Sequence, residues 1–484
     1  MILERFKFSV IGNILRAGIT LFTSIFLANA LGPSEFGRLS FLIASFLAIA
    51  QILDLGTSNA LITFLSKDKN LKSHYRIYFL WLFIQLFFGI FVLSFLVPDK
   101  ILQFIWQGNG KLSIILGFIA ILFQQNVWNS LARICEANKE TKKLQIANVS
   151  IALLHLSILL LAYYYGSLTV ELILLFISIE ILIIGYFLLN RINYLIIPGN
   201  YTIKDFISDY KRYCYPLVPF TIISVICVFA DSWLITEYAG YEQQAFFGIA
   251  MQLSVISLIA ARSIINIAWN EFSELSHKKD LAKLGKLYND SIFYLYSGSL
   301  FISALLIPWS KEITIFFLGS EYVNSFLIFA IFLLYPVDQT RGQITGTLLL
   351  SLEDTKATSV LGILGGLTNL LFAYILVGPG LGPIPEFNLG AIGIAVKLVI
   401  LQFIFTNIST LYISRKYGIT LKMYFLTLMP LSIMTTILLK ELLTIFLPIE
   451  FAVILYFFIF CLIYRYLLLF FKPELTDLRK IFRL

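Results

Sequence analysis

"IGNILRAGITLFTSIFLANALGPSEFGRLSFLIASFLAIA", residues 11–50, decides how the rest of the chain is read. It holds two apolar runs, each near the ~20 residues that a helix needs to cross ~30 Å of hydrocarbon. Between them Leu31-Gly32-Pro33 reads as a break, since proline lacks an N–H and glycine accepts backbone conformations other residues avoid. One residue disturbs the pattern. Arg16 sits in the first run, where a guanidinium costs ~2.5–3.5 kcal/mol even on the lenient insertion scale. It either reaches water or meets something negative.

The 484 residues are 59% hydrophobic and only 13% charged. A soluble domain carries about 25% charged residues, so the composition is that of a membrane protein. Outward from the first pair, apolar runs recur near 75–97, 112–134, 145–166, 168–190, 215–238, 245–270, 288–307, 322–350, 357–377, 390–413, 422–447 and 449–471. With 9–31 and 38–65 they predict fourteen transmembrane helices. The connections test that count, because cytoplasmic loops collect Lys and Arg. Even-numbered connections and the two termini hold 26 of the 36 basic residues, and odd-numbered connections hold five. Both termini are therefore expected in the cytoplasm. The pI near 9.1 reflects these loops and implies no nucleic acid. "ANA" at 28–30 imitates a signal-peptide cleavage site, but the apolar run is too long and Arg16 interrupts it, so an uncleaved span is expected.

Three pairs of segments recur at nearly one spacing. "VPDKILQFIWQG" (97–108) resembles "IPWSKEITIFFLG" (307–319), "EANKETKKLQIANVSIALL" (136–154) resembles "SLEDTKATSVLGILGGL" (351–367), and "ALGPSEFGRLSFLI" (30–43) resembles "YAGYEQQAFFGIAM" (238–251). Six helices per repeat is an even number, so both copies enter from the same side, as in exporters built of two parallel lobes. The expected fold class is an all-α integral membrane protein. Its expected parts are an N-terminal lobe over 1–200, a C-terminal lobe over 201–420, and two added helices with a tail over 421–484.

Polar residues within the spans are the functional candidates. Arg262 lies mid-helix, with Asn266 and Asn270 at i+4 and i+8 on one stripe; the stripe either binds an anion or pairs Arg262 with Asp231. Arg16 shares a face with Asn13, Thr20 and Thr23. Asp54 either pairs with Arg16 or holds a coupling ion, H+ or Na+. Asp338 and Arg341, three apart, can satisfy each other. Lys397 stands alone on its helix, and Glu180 could exchange a proton, since burial raises a carboxyl pKa. "QQNVWN" (124–129) and "DQTRGQ" (338–343) place polar belts at matching depth in the two repeats. Such belts either line a hydrophilic path or bind helices together.

Catalytic readings find little support. "GNGKLS" (108–113) lacks the first glycine of a phosphate-binding loop. His74, His155 and His277 have no companions at motif spacing, and Cys135, Cys214, Cys227 and Cys461 show no metal or redox pattern. No cofactor, no metal and no enzyme activity are expected.

The stretch 12–67, with Leu31-Gly32-Pro33, Glu35-Phe36-Gly37 and Asp54-Leu55-Gly56, resembles the first two helices of Wzx-type repeat-unit flippases. These belong to the multidrug/oligosaccharidyl-lipid/polysaccharide (MOP) exporter superfamily. "FADSWLITEYAGYEQQAFFGIAMQL" (229–253) and "FFLGSEY" (316–322) resemble later parts of the same family. The resemblance implies a V-shaped exporter in the bacterial cytoplasmic membrane that moves an undecaprenyl-diphosphate-linked oligosaccharide to the outer leaflet. It implies cavity cations on helices 1 and 8, where Arg16 and Arg262 fall. Arginine suits a diphosphate because its planar fork makes paired charge-assisted hydrogen bonds. A polysaccharide polymerase and a chain-length regulator stand as candidate protein partners beside the lipid bilayer. The rival readings are a lipid II flippase, a multidrug/cation antiporter and, more distantly, a membrane glycosyltransferase or polymerase.

Overall fold

The computed structural model describes every residue except 1, 59, 62–71, 139, 192–201, 216–217, 255–257, 259–267, 269–270, 381–384, 420–421, 423 and 472–484. Among the described residues the regular secondary structure is helical throughout. That follows from the solvent: in hydrocarbon each backbone N–H and C=O must be satisfied within the chain. The helices are α1 (Ile2–Asp54), α2 (Lys72–Phe91), α3 (Asp99–Ile105), α4 (Lys111–Leu122), α5 (Trp128–Ala137), α6 (Thr141–Tyr164), α7 (Val170–Arg191), α8 (Ile203–Cys214) and α9 (Val218–Ser254). They continue as α10 (Leu281–Leu306), α11 (Ser310–Leu318), α12 (Phe326–Phe332), α13 (Tyr335–Ser351), α14 (Thr355–Val377), α15 (Gly390–Tyr417), α16 (Phe425–Phe446) and α17 (Ile449–Phe471).

Twelve helical stretches among the described residues are long and apolar enough to cross a membrane. Two of them are double. Ile11–Asp54 runs 44 residues and bends at Gly32, and Thr221–Ser254 runs 34 residues and bends at Gly240. Division at Gly32 gives two segments of spanning length, whereas the part after Gly240 ends at Ser254 and most of the rest of the expected span 245–270 lies outside the described residues. The break at Leu31-Gly32-Pro33 is thus a kink with no loop: Gly32 alone leaves helical geometry, and Pro33 opens the next helical turn, where its missing N–H costs nothing.

The chain divides into two compact units, Met1–Ile249 with Gly366–Ile394, and Ala250–Gly365 with Ala395–Leu484. In the first, α1 packs along α6 and α4, and α7 packs against both. Its core gathers Tyr78, Leu82, Trp128, Leu131 and Ile134. In the second, α10 packs on α13 around Tyr288, Tyr296, Ile344, Phe425 and Phe460. There α17 is tied to α10 by two tyrosines: Tyr464 Oη donates to the Ser297 carbonyl at 2.6 Å and Tyr456 Oη to the Leu305 carbonyl at 3.1 Å.

The expected repeat is visible in backbone detail. Gly32 (φ 73°, ψ 171°) and Gly240 (φ 85°, ψ 172°) take the same conformation 208 positions apart. Gly108 (φ 76°) and Gly319 (φ 79°) end the short helix region of each copy. Asn138 and Leu352 are helix C-caps, and Thr141 and Thr355 begin the next helices.

Part of the connection 191–212, expected as loop, is helical. Thr202 and Asp205 form a reciprocal capping box at the start of α8. Phe206, Tyr210 and Cys214 recur every four residues and are buried, Phe206 and Tyr210 with their rings near Tyr78, while Lys204, Lys211 and Arg212 face out. At twelve residues, α8 is too short to span a bilayer.

Candidate functional site

In the first unit a cavity of about 360 Å³ opens where α1 ends. One wall is Gln51, Asp54, Gly56 and Ser58. After Asp54 the chain turns through two left-handed residues, Leu55 (φ 43°) and Gly56 (φ 83°), before helix resumes. Asp54 holds that turn. Its Oδ1 accepts from Ser58 N at 2.9 Å and Thr57 Oγ1 at 3.0 Å, and its Oδ2 from Ser58 Oγ at 3.0 Å and Gly56 N at 3.2 Å. A carboxylate offers about four lone-pair sites, so all are taken. Gln85 Nε2 anchors the preceding Leu53 carbonyl at 2.8 Å.

The opposite wall comes from the polar belt 124–129. Here the helix widens into a π turn over Phe123–Val127, with Trp128 N bonded to the Phe123 carbonyl. Such one-turn bulges occur often at functional sites. The turn sets Gln125, Asn126 and Asn129 on the cavity, with Thr221 and Ser224 of α9 beside them. Asn129 Nδ2 donates to Gln125 Oε1 at 3.3 Å. Asn126 is 2% exposed, and neither its Oδ1 nor its Nδ2 has a hydrogen-bond partner. A buried unpaired amide costs roughly 1–3 kcal/mol, and in Asn126 both ends of the amide are left in that state.

Arg16 on α1 is exposed, and its contact is neutral: Nη1 lies 3.5 Å from Asn148 Oδ1 on α6. Asn148 also accepts from Trp128 Nε1 at 3.0 Å, which fixes its amide. The expected alternative of an Arg16–Asp54 pair is not formed, because Asp54 is committed to its own turn. Asn13 is exposed on the same helix, 3.5 Å from Ser9 Oγ. Thr23 points inward and bonds back to the Ile19 carbonyl.

The remaining candidates scatter. Asp338 and Arg341 form a buried ion pair at 2.8 Å on α13. Arg341 Nη1 also donates to Asn407 Oδ1 at 3.2 Å, and its guanidinium lies 3.8 Å from the Phe425 ring centroid. Glu180 is buried on α7 and meets His155 Nδ1 at 3.0 and 3.1 Å. Asp231 on α9 and Lys397 on α15 are both buried. Arg262, Asn266 and Asn270 lie outside the described residues.

Several polar groups escaped the sequence reading. Arg38 gathers Glu35, Glu171, Ser113 and Asn109 around its guanidinium. Asn109 in turn donates to Tyr241 Oη at 2.8 Å, and Tyr241 donates to the Gln107 carbonyl at 2.7 Å. Gly37 lies so close to α9 that a Cβ there would fall 1.8 Å from the Tyr241 carbonyl oxygen. In the second unit Asp354, on the turn before α14, accepts from Lys416 Nζ, Tyr412 Oη and Tyr417 Oη at 2.7–2.9 Å. Burial pushes this carboxyl up, but those donors and the Ala357 N–H outweigh it and hold its pKa at about 2.

Comparison with known proteins agrees with this architecture. The fold is shared with solved transporters of the MOP superfamily. The structure titled "Lipid II flippase MurJ, inward closed conformation" superposes with a TM-score of 0.73 at 18% identity, covering 98% of this chain and 100% of that one. An inward-facing multidrug resistance MATE family transporter of the MOP superfamily gives 0.64 at 17% identity, covering 84% and 98%. A MOP superfamily transporter from Pyrococcus furiosus, whose title reports a binding pocket of reverse polarity, gives 0.58 at 16%, covering 86% and 96%. Among curated proteins none matches the sequence. Residues 2–269 match the family described as "Polysaccharide biosynthesis protein", and the chain belongs to that family. Family and fold together describe a multi-pass membrane protein with the architecture of solved transporters.

Proposed function

We propose that the protein is a flippase that moves an undecaprenyl-diphosphate-linked oligosaccharide, a repeat unit of a surface polysaccharide, from the inner to the outer leaflet of the bacterial cytoplasmic membrane. The observation that carries the reading is Arg16. It is a guanidinium on the first apolar helix, exposed, held only by the neutral Asn148, and paired with no carboxylate among the described residues. Its charge is free to meet a phosphate, and membership of a polysaccharide biosynthesis family supplies the class of molecule. A diphosphate cannot cross hydrocarbon unaided, so a cation-bearing path is what the cargo needs.

In this reading Arg262 and Lys397 add positive charge, Asn13, Asn266 and Asn270 meet sugar or phosphate oxygens, and the halves 1–200 and 201–420 alternate in exposing the site to each side. Both termini stay in the cytoplasm. Asp231 and Glu180 remain candidates for coupling to H+ or Na+, and a polymerase with its chain-length regulator would receive the flipped unit. A second reading, a lipid II flippase, draws on the full-length likeness to that fold; the two cargoes share the diphosphate. Deleting the gene separates them. Lipid-linked repeat units trapped on the inner leaflet with growth intact support the first reading, and lysis with lipid II retained inside supports the second. Reconstituted vesicles that fail to flip a fluorescent undecaprenyl-diphosphate glycan reject both.

A further inference from the structure

We infer that the cavity between the Asp54 turn and the π turn of the first unit is a binding site for the uncharged sugar portion of the cargo. The inference rests on the flippase reading and assigns part of the substrate to a place that holds none of the cations. Gln51, Gln125, Asn126 and Asn129 line the cavity together with Ser58 and Ser224, and the Asn126 amide lies buried directly behind that lining. Each amide offers both a donor and an acceptor, and each hydroxyl does the same. That mixture matches sugar hydroxyls and N-acetyl groups, which also donate and accept.

Phosphate is excluded by the lining, which contains no Lys, Arg or His and one carboxylate. A metal or sodium ion is disfavoured for a different reason. Asp54, the one anionic group present, gives all four acceptor positions to Gly56, Thr57 and Ser58, so it has none left to coordinate. The volume of about 360 Å³ falls within the range of small-molecule sites.

Two observations point to a ligand and not to a structural polar cluster. Asn126 is buried with both side-chain atoms unpaired, although Ser130, Tyr78 and Trp128 close by all find partners. The matching belt of the second unit carries Asp338 and Arg341, which close on each other with Asn407 and Phe425. One copy of the repeat fills this position with an ion pair, and the other with an uncharged, unpaired amide buried behind the cavity lining.

The test uses the full-length protein in lipid nanodiscs. Three neutral disaccharides, maltose, lactose and N,N′-diacetylchitobiose, are titrated by saturation-transfer NMR, and sugar-free undecaprenyl diphosphate is titrated separately. Wild type should bind at least one disaccharide. Asn126→Leu, which removes an unpaired polar group at nearly constant shape, should fold at least as well and bind that sugar at least tenfold more weakly. Its affinity for undecaprenyl diphosphate should stay within twofold. Asn129→Ala, at an exposed position, serves as a second variant and should weaken the sugar severalfold. Failure of all three sugars to bind, or equal binding by Asn126→Leu and Asn129→Ala, overturns the assignment. So does a rise in melting temperature with sodium that Asn126→Leu abolishes, which would mark a cation site. Loss of undecaprenyl diphosphate binding by wild type would instead refute the flippase reading and leaves the sugar arm to be read by itself.

Discussion

Gly32 and Gly240 hold the same backbone conformation, φ 73°, ψ 171° and φ 85°, ψ 172°, at equivalent points of the two repeats. This region of the map is open essentially to glycine alone, and other residues lose about 1–3 kcal/mol there. Around Gly240 an added Cβ would meet nothing within 4 Å, so any penalty arises from the backbone and not from crowding. Gly240→Ala should therefore destabilise the protein by about 1–3 kcal/mol in thermal unfolding. Gly298→Ala, in the middle of α10 with equally open space, should stabilise it by about 0.5–1 kcal/mol. Equal effects at the two sites would deny Gly240 its special geometry.

Among the described residues Arg16 hydrogen-bonds only to Asn148, at the long limit of such a bond, so its removal should leave folding within about 0.5 kcal/mol of wild type. Flipping of a diphosphate-linked glycan by Arg16→Ala should fall at least tenfold. Arg16→Lys should recover only part of it, because a point charge does not reproduce the paired donors of the guanidinium. A vesicle assay with a quenchable fluorescent glycolipid measures both.

The Asp338–Arg341 pair is fully enclosed. Breaking it from one side strands a buried charge, and Arg341→Met alone should cost about 3–5 kcal/mol. Combining it with Asp338→Leu should return most of that loss, since well-packed apolar residues commonly replace buried ion pairs without harm. Unfolding midpoints of the two single variants and the double variant complete the cycle, and transport should persist in the double variant.

Asp354 yields a pH dependence. In an unfolded chain its pKa would lie near 3.9, while in the folded protein it is held at about 2. A depressed carboxyl stabilises the fold above its unfolded pKa and loses that contribution as pH falls through the folded value. The difference in stability between wild type and Asp354→Asn should thus be constant above pH 5 and shrink between about pH 4 and pH 2. A melting series over that range in detergent reads it directly.

Much of the fold was legible in the sequence because membrane helices are governed by local composition. Gly32-Pro33 marked the first break, and the three recurring segments located hinges and caps that the backbone reproduces. The form of the break was not legible, since Pro33 can open a helical turn as well as end one. α8 was missed because a twelve-residue amphipathic pattern among Lys and Arg resembles a charged loop. At the site, the polar belt 124–129 stood out against its apolar surroundings, but the unpaired state of Asn126 depends on which atoms surround it in space. Glu180 and His155 lie 25 positions apart on separate helices, and no periodicity links residues across such a distance. Asp54 was expected to pair or to bind an ion; its four bonds within its own turn depend on Leu55 and Gly56 adopting left-handed conformations, which side-chain patterning does not reveal.

The unequal polar belts carry a lesson about duplication. Two copies of one backbone have diverged until one keeps an amide-lined recess and the other a sealed ion pair, so the halves are no longer interchangeable. A chimaera built from two first halves would inherit both glycine bends yet forgo the guanidinium–carboxylate bolt, and its symmetry would come at the expense of the division of labour that the natural chain has acquired.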